Sequence, residues 1–223
     1  MTFPVREPVL HPTPLNELHP TQMTVGMREV KKRRQAWRAR DPADRDKFFA
    51  SHMVPTILGP GKRRYLIDHH HLARALSEEG IESVFVTTVS DLSKVDEDLF
   101  WNMMDYHGWT HPFDAKGHRC EYEDLPQTVK DMADDPYRSL AGELRNIGGF
   151  AKDSTPYTEF VWADFFRKRI KAKTIVDDFD AALASALALA KSADADYLPG
   201  WCAPHRPADA AKADAATKST GKA

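Results

Sequence analysis

Cysteine is nearly absent from this chain: Cys120 and Cys202 are the only two in 223 residues, and neither sits in a Cys-x-x-Cys pair. That excludes a disulfide-stapled scaffold and a thioredoxin-type redox motif, and it fits a reducing compartment. Long apolar runs are missing as well. The opening residues Met1-Thr-Phe-Pro-Val-Arg-Glu-Pro8 lack the continuous apolar core of a secretory leader. The longest alanine/leucine run, Ala181 to Ala190, is bounded by Asp177, Asp178, Asp180 and Lys191 and is too short to span a bilayer. A cytoplasmic protein with no membrane partner is therefore expected. One-sided charge is lacking too: with a net charge of −2 and 29% charged residues, nothing global draws the chain to a polyanion. No internal repeat is visible, residues 91–190 offer no helix-turn-helix pattern, and no carboxylates fall at obvious two-metal spacing.

What the chain does have is a strand that runs straight into a helix through three consecutive histidines. Residues 61–76, Gly61-Lys-Arg-Arg-Tyr-Leu-Ile-Asp68-His69-His70-His71-Leu-Ala-Arg74-Ala-Leu76, read as a short strand and then a helix. The helix has an apolar face of Leu72, Ala73, Ala75 and Leu76 and a stop at Gly80. Upstream, Val54-Pro-Thr-Ile-Leu58 and Arg64-Tyr-Leu-Ile67 flank the turn Gly59-Pro60-Gly61-Lys62, and downstream Ser83 to Val89 reads as a third strand. A helix leaves its first N–H groups unpaired, and those donors together with the helix dipole attract anions, phosphate above all. Chemistry is expected at this junction, with Asp68 as the N-cap and the histidines lining the first turn.

The length suits one domain of about 200 residues, with a helical annex. Residues 1–90 mix strands and helices: an edge strand near Glu7 to Leu10, a turn-rich connection from Leu15 to Gly26, and a helix that begins near Met27. Residues 91–200 read as a helical extension packed on that domain. Its helices are expected at Val95 to Tyr106, Tyr137 to Ile147, Tyr157 to Ile170 and about Ile175 to Ala190, with a loop from His107 to Leu125. Residues 201–223 lack apolar anchors and read as a disordered tail.

These residues carry a resemblance. His19-Pro-Thr-Gln22-Met-Thr-Val-Gly26, then Val54 to Leu58, then Tyr65 to Leu76, resemble the N-terminal domain of the ParB/sulfiredoxin superfamily. Asp135-Pro-Tyr-Arg-Ser-Leu-Ala-Gly142 to Phe150, and Tyr157 to Ile170, are similar to its ParB-like nuclease branch, so that the resemblance covers most of the chain. It implies an α/β (α+β) fold: a small mixed sheet in the N-terminal domain and an α-helical C-terminal extension. It also implies that the helix N-terminus at the junction receives nucleotide phosphates. Partition proteins use that place for CTP, sulfiredoxin for ATP-dependent repair of an oxidised cysteine, and free-serine kinases for phosphoryl transfer from ATP or ADP.

Against the kinase pattern Asp-Gly-x-His-Arg, Asp68 matches the Asp and His71 the His, while His69 stands at the glycine and Leu72 at the arginine. The bulky imidazole narrows the phosphate loop, and Arg74 or Arg63 is needed to replace the missing cation. His70 stands where sulfiredoxin has its cysteine, which argues against cysteine repair. Gln22 falls in the segment that supplies the kinase's basic glutamate, and an amide cannot take a proton from a hydroxyl; Glu29 is the nearest replacement. The resemblance thus implies Asp68, His70, His71 and Glu29 as catalytic residues. It implies Gln22, Gly26, Arg63, Arg64, His69 and Arg74 as phosphate- or nucleotide-binding residues, with magnesium and ATP, ADP or CTP as cofactors.

The expected function is binding of a nucleotide or other phosphorylated ligand at residues 68–71 for phosphoryl transfer or nuclease-like phosphodiester hydrolysis. The alternative is a module that grips a nucleotide or DNA without transforming it, and chromosome partitioning ranks behind both. Residue chemistry leaves further alternatives open. Consecutive helical residues point about 100° apart, so only one or two imidazoles can face a ligand. Such a histidine serves as phosphate donor, acid/base group or metal ligand beside Asp68; the plain alternative is exposed histidines behind an N-cap. Lys31, Lys32, Arg33, Arg34 and Arg38 form a dense basic cluster. It reads either as phosphate or nucleic-acid contact, or as a solvated helix face balanced by Glu29, Asp41, Asp44 and Asp46. His107, His111, His118 and Cys120 share a loop at no standard zinc spacing, and no metal is assigned to them.

Overall fold

The computed structural model describes residues 12–202; the strand expected near Glu7 to Leu10 and the tail from residue 203 onward lie outside them. In chain order the strands and helices are β1 (Pro12–Pro14), β2 (Leu18–Pro20), β3 (Thr24–Val25), α1 (Met27–Arg38), α2 (Pro42–Ser51), β4 (Val54–Leu58), β5 (Arg64–Leu66), α3 (His70–Glu78), β6 (Ser83–Asp91), α4 (Glu97–Tyr106), β7 (Ala133–Asp134), α5 (Pro136–Asn146), α6 (Thr158–Arg167), α7 (Ala172–Asp177) and α8 (Phe179–Ala190). The expected α/β class with a small mixed sheet is what the structure has. Its five strands run β1-β6-β4-β5-β2. β1 is antiparallel to β6, β6 parallel to β4, β4 antiparallel to β5, and β5 parallel to β2.

The hairpin of β4 and β5 follows from its turn chemistry. Gly61 and Lys62 both adopt left-handed φ, 66° and 60°, which brings Leu58 back opposite Arg64. α1 and α3 pack beside one another around Leu18, Val30, Val54, Leu66, Leu76 and Val84. α4 places Phe100 and Met104 against Ile57 and Tyr65 in a second, smaller core. The later helices enclose a third core, where Trp162 and Phe166 of α6 meet Leu140 and Leu144 of α5 and the alanine stripe Ala182, Ala186 and Ala190 of α8. Small side chains at i, i+4 spacing let α8 come close.

α5 ties these parts together. Pro136 opens it, Asp135 caps it by accepting the Tyr137 N–H at 2.9 Å, and the same buried carboxylate pairs with Arg167 of α6 at 2.9 Å. Just before it, β7 pairs in parallel with β3. A Cβ on Gly26 would meet Ser139 at 2.8 Å, so the start of α1 and the start of α5 touch through a glycine.

Two expectations need correction. The connection from Leu15 to Gly26 holds strands β2 and β3, which are too short to show any alternation in sequence. The single helix expected over 175–190 is two, α7 and α8, because Asp178 leaves helical geometry and its side chain caps α8 through the Ala181 N–H. Among the described residues no helix is long and apolar enough to cross a membrane.

Candidate functional site

β5 delivers the chain to the histidine junction. Asp68 does not cap α3 as expected; its Oδ1 accepts the N–H of its neighbour His69 at 2.6 Å. His69 takes the cap position with a left-handed backbone, φ 65° and ψ 22°, and with no side-chain cap bond. That conformation is one glycine adopts freely, and histidine is among the other residues that tolerate it. α3 therefore begins at His70 with its first N–H groups uncapped by any side chain.

The next two histidines turn inward. His70 is 3% exposed, and its Nε2 accepts the Thr21 N–H at 3.2 Å; burial lowers it to about 3. His71 is also buried, its Nε2 accepts the Gly26 N–H at 2.9 Å, and burial, reinforced by Arg138, drives it well below the usual histidine range. Both are neutral, and both hold the segment from Thr21 to Gly26 by its backbone. Thr21 is fixed further by its hydroxyl bond to the Leu66 carbonyl (2.7 Å) and by the Thr110 hydroxyl on its own carbonyl (3.0 Å). The reading of the histidines as exposed first-turn residues thus fails for His70 and His71. The Nε2 lone pairs of these two expected catalytic groups are engaged inside the fold.

A cavity of about 550 Å³ opens beside this junction. Its α/β side carries Gln22, Glu29, Arg33, Asp68, His69, His70 and His71; its helical side carries Arg138, Arg145 and the segment from Lys152 to Phe160. Glu29 accepts two bonds from Arg33, at 2.7 and 2.9 Å. Burial opposes its ionisation, but His71, Arg138 and Arg33 outweigh burial and hold it at about 2. Because His71 is neutral, the two arginines supply the compensating charge at neutral pH.

Sequence reading missed the cavity residues of the helical side, Arg138, Arg145 and Tyr157 among them, and Arg138 is the more deeply buried of the two arginines. It is 8% exposed, its Nη1 lies 3.7 Å from Glu29 Oε2, and neither its Nε nor its Nη1 has a hydrogen-bond partner. Burial lowers it to about 10, partly offset by Glu29, so it stays cationic at neutral pH. Gly142, one turn later on α5, leaves the room: a Cβ there would sit 3.0 Å from Nη1. The signal was present in Asp135-Pro-Tyr-Arg-Ser-Leu-Ala-Gly142, where an arginine falls among apolar positions with alanine and glycine at i+3 and i+4.

The other expected phosphate ligands sit elsewhere. Arg74 donates to the carbonyls of Val129, Lys130 and Met132 and pairs with Glu78. Arg64 reaches Thr88 at 3.1 Å, and Arg63 lines a separate small cleft with His19, Tyr65 and Trp101. Gly26 receives His71 and Ser139 and does not face the cavity. Four of the five cations of the α1 cluster are matched by carboxylates: Lys32 with Glu143, Arg33 with Glu29, Arg34 with Glu78 and Glu79, Arg38 with Glu79. In the 107–120 loop, His107 stacks on Trp109, His111 packs among Phe113, Tyr157 and Phe160, and His118 faces Asp114. Among the described residues no three His, Cys, Asp or Glu side chains are gathered so as to hold a metal.

Residues 11–168 match the model of a family described as "Putative ParB-like nuclease". The chain belongs to the ParB-like nuclease family. The match takes in every residue around the cavity of this ParB-like protein, the helical side included. The ParB-like chain is also similar to a solved structure, the crystal structure of protein Atu1540 from Agrobacterium tumefaciens. The two share 46% sequence identity with a TM-score of 0.82, over 89% of this chain and 100% of that one. Among curated proteins none matches.

Proposed function

We propose that the cavity binds a phosphorylated ligand, a nucleotide or a strand end, and carries out phosphoryl transfer or phosphodiester hydrolysis on it. The observation that carries this reading is Arg138: a buried guanidinium with two unpaired donors, in the same cavity as the uncapped start of α3. Leaving a buried charged donor unsatisfied costs roughly 1–3 kcal/mol or more, and phosphate oxygens would remove that cost. Helix N-terminus and guanidinium together form an anion site of opposite charge. The Nε2 atoms of His70 and His71 are engaged, whereas His69 has a buried ring nitrogen, Nδ1, without a partner, and it is the group here assigned to carry a proton.

Magnesium fits only in a limited way: the exposed Asp68 carboxylate offers one oxygen beyond the bond to His69, and the ligand's phosphates would complete the shell. Bound there with ATP, ADP or CTP, it would neutralise phosphate charge. Nucleic acid would enter by an end, since most cations of the α1 cluster are matched by carboxylates.

A second reading, binding without turnover, is favoured by one observation. His70 and His71 are locked as backbone acceptors, and Glu29, held at about 2, is a weak base. A calorimetric screen of ATP, ADP, CTP, GTP and a 5′-phosphorylated oligonucleotide, each with magnesium, tests both readings. Arg138→Met should weaken the best ligand by about 100-fold or more, and binding unchanged in that variant would overturn the site. Product analysis of the bound ligand then separates turnover from simple retention.

A further inference from the structure

Tyr157 is another polar group of the cavity wall that the fold leaves without a partner: its hydroxyl is buried and unbonded. Its backbone is left-handed, φ 58° and ψ 27°, which a bulky residue adopts only where its surroundings impose it. They do so on several sides. Asp153 accepts the Thr155 N–H at 2.7 Å, and the Thr158 hydroxyl donates to the Thr155 carbonyl at 2.8 Å. Pro156 packs so closely on Gly108 that a Cβ there would lie 2.9 Å from its Cγ, and the Tyr157 ring rests 4.8 Å from that of His111. The fold thus fixes, in a strained conformation, a hydroxyl that it does not use.

Burial, with the carboxylates of Asp68 and Asp105, pushes the Tyr157 phenol upward, so it is a hydrogen-bond donor at any physiological pH. Phe160 relates it to the anion site. The Arg138 guanidinium carbon lies 5.3 Å from the Phe160 ring centre, and the Tyr157 ring lies 6.1 Å from the same ring. Both residues thus flank Phe160 on the wall of the same cavity.

We propose that Tyr157 is a specificity residue: its hydroxyl donates to a second oxygen of the ligand whose phosphate Arg138 holds. The cavity then selects a phosphomonoester with an acceptor beyond the phosphate, of sugar-phosphate type, over inorganic phosphate. This inference rests on the phosphate reading of the cavity.

The test is calorimetric titration of inorganic phosphate and ribose 5-phosphate into wild type, Tyr157→Phe and Arg138→Met, with thermal unfolding confirming that each variant is folded. Wild type should prefer ribose 5-phosphate by about tenfold, the worth of one good hydrogen bond. Tyr157→Phe should remove that preference while phosphate affinity holds, and Arg138→Met should lose both ligands. A preference that survives in Tyr157→Phe, or equal binding of the two probes by wild type, overturns the role of the tyrosine and leaves the phosphate site standing. Binding of neither probe by wild type overturns the phosphate site itself.

Discussion

The two sides of the cavity treat their polar groups differently. On the α/β side most are satisfied within the fold: His70 and His71 accept from Thr21 and Gly26, and Arg33 is bonded to Glu29, with His69 Nδ1 the buried exception. On the helical side Arg138 and Tyr157 are buried with donors unpaired. Groups that have partners hold shape, and groups that lack them when buried cost the fold free energy until something else supplies the partner. The difference assigns architecture to the His70 and His71 pair on the α/β side and the buried donors for ligand capture to the helical side. It also relocates the centre of interest: the triple histidine draws the eye in sequence, yet the unsatisfied cation stands on α5.

The largest expected effect tests the architectural side. His70 sits at about 3 in the folded chain against 6.5 when exposed, so the unfolded chain takes up its proton first on acidification. Its contribution is complete above about pH 6.5 and is lost as pH falls toward 3. Between pH 7 and pH 5 this costs about 2 kcal/mol for His70 alone. His71, shifted in the same direction, adds to the loss, and Glu29 joins only below about pH 4.5. Urea unfolding at the two pH values should show this fall, and it should be much reduced in a His70→Gln, His71→Gln double variant. A stability that stays flat from pH 7 to pH 5 would mean that the two histidines are not neutral latches, and the contrast between the sides would fail.

That dependence was only half legible in the sequence. The strand, turn, strand, histidine and helix order could be read because each signal is local: apolar runs, a Gly-Pro-Gly turn, a glycine stop. What His70 and His71 do could not be read, since their partners lie 49 and 45 residues earlier along the chain. With the structure in hand, the joint occurrence of the 19–26 and 65–76 motifs acquires a cause, because one binds the other's backbone. Arg138 stayed hidden for a different reason. An arginine in a helix usually reaches water, and only depth together with the lack of a partner marks this one. The break at Asp178 was readable as an N-cap, but the alanine-rich run after it outweighed that signal.

A smaller effect probes the ligand side. Gly142→Ala adds a methyl 3.0 Å from Arg138 Nη1 and 3.8 Å from Glu29 Oε2, so the guanidinium must shift by a few tenths of an ångström. In a helix interior the same change favours folding by about 1 kcal/mol. Thermal stability should hold or rise while affinity for a phosphorylated ligand falls several-fold. Opposite signs from one substitution would show that α5 gives up helix stability to leave room for a cation. A fall in both, or in neither, would remove Gly142 from that role.

The smallest effect is expected where the sequence is most densely charged. Arg34 pairs with Glu78 and Glu79 at 2.6 Å each, but Glu78 also has Arg74 and Glu79 also has Arg38. Removing Arg34 strands no carboxylate, and ion pairs that remain partly open to solvent are worth little individually. Arg34→Gln should therefore leave ligand affinity within about twofold of wild type, an expectation that follows from the same weak energetics. The informative comparison is with Arg138→Met in the same assay: each change removes one guanidinium, and only the one whose buried donors lack hydrogen-bond partners should matter. If Arg34→Gln instead weakened oligonucleotide retention in a salt-dependent way, the face of α1 would be a phosphate contact and the helical side of the cavity would lose its claim to be the place where the ligand is caught.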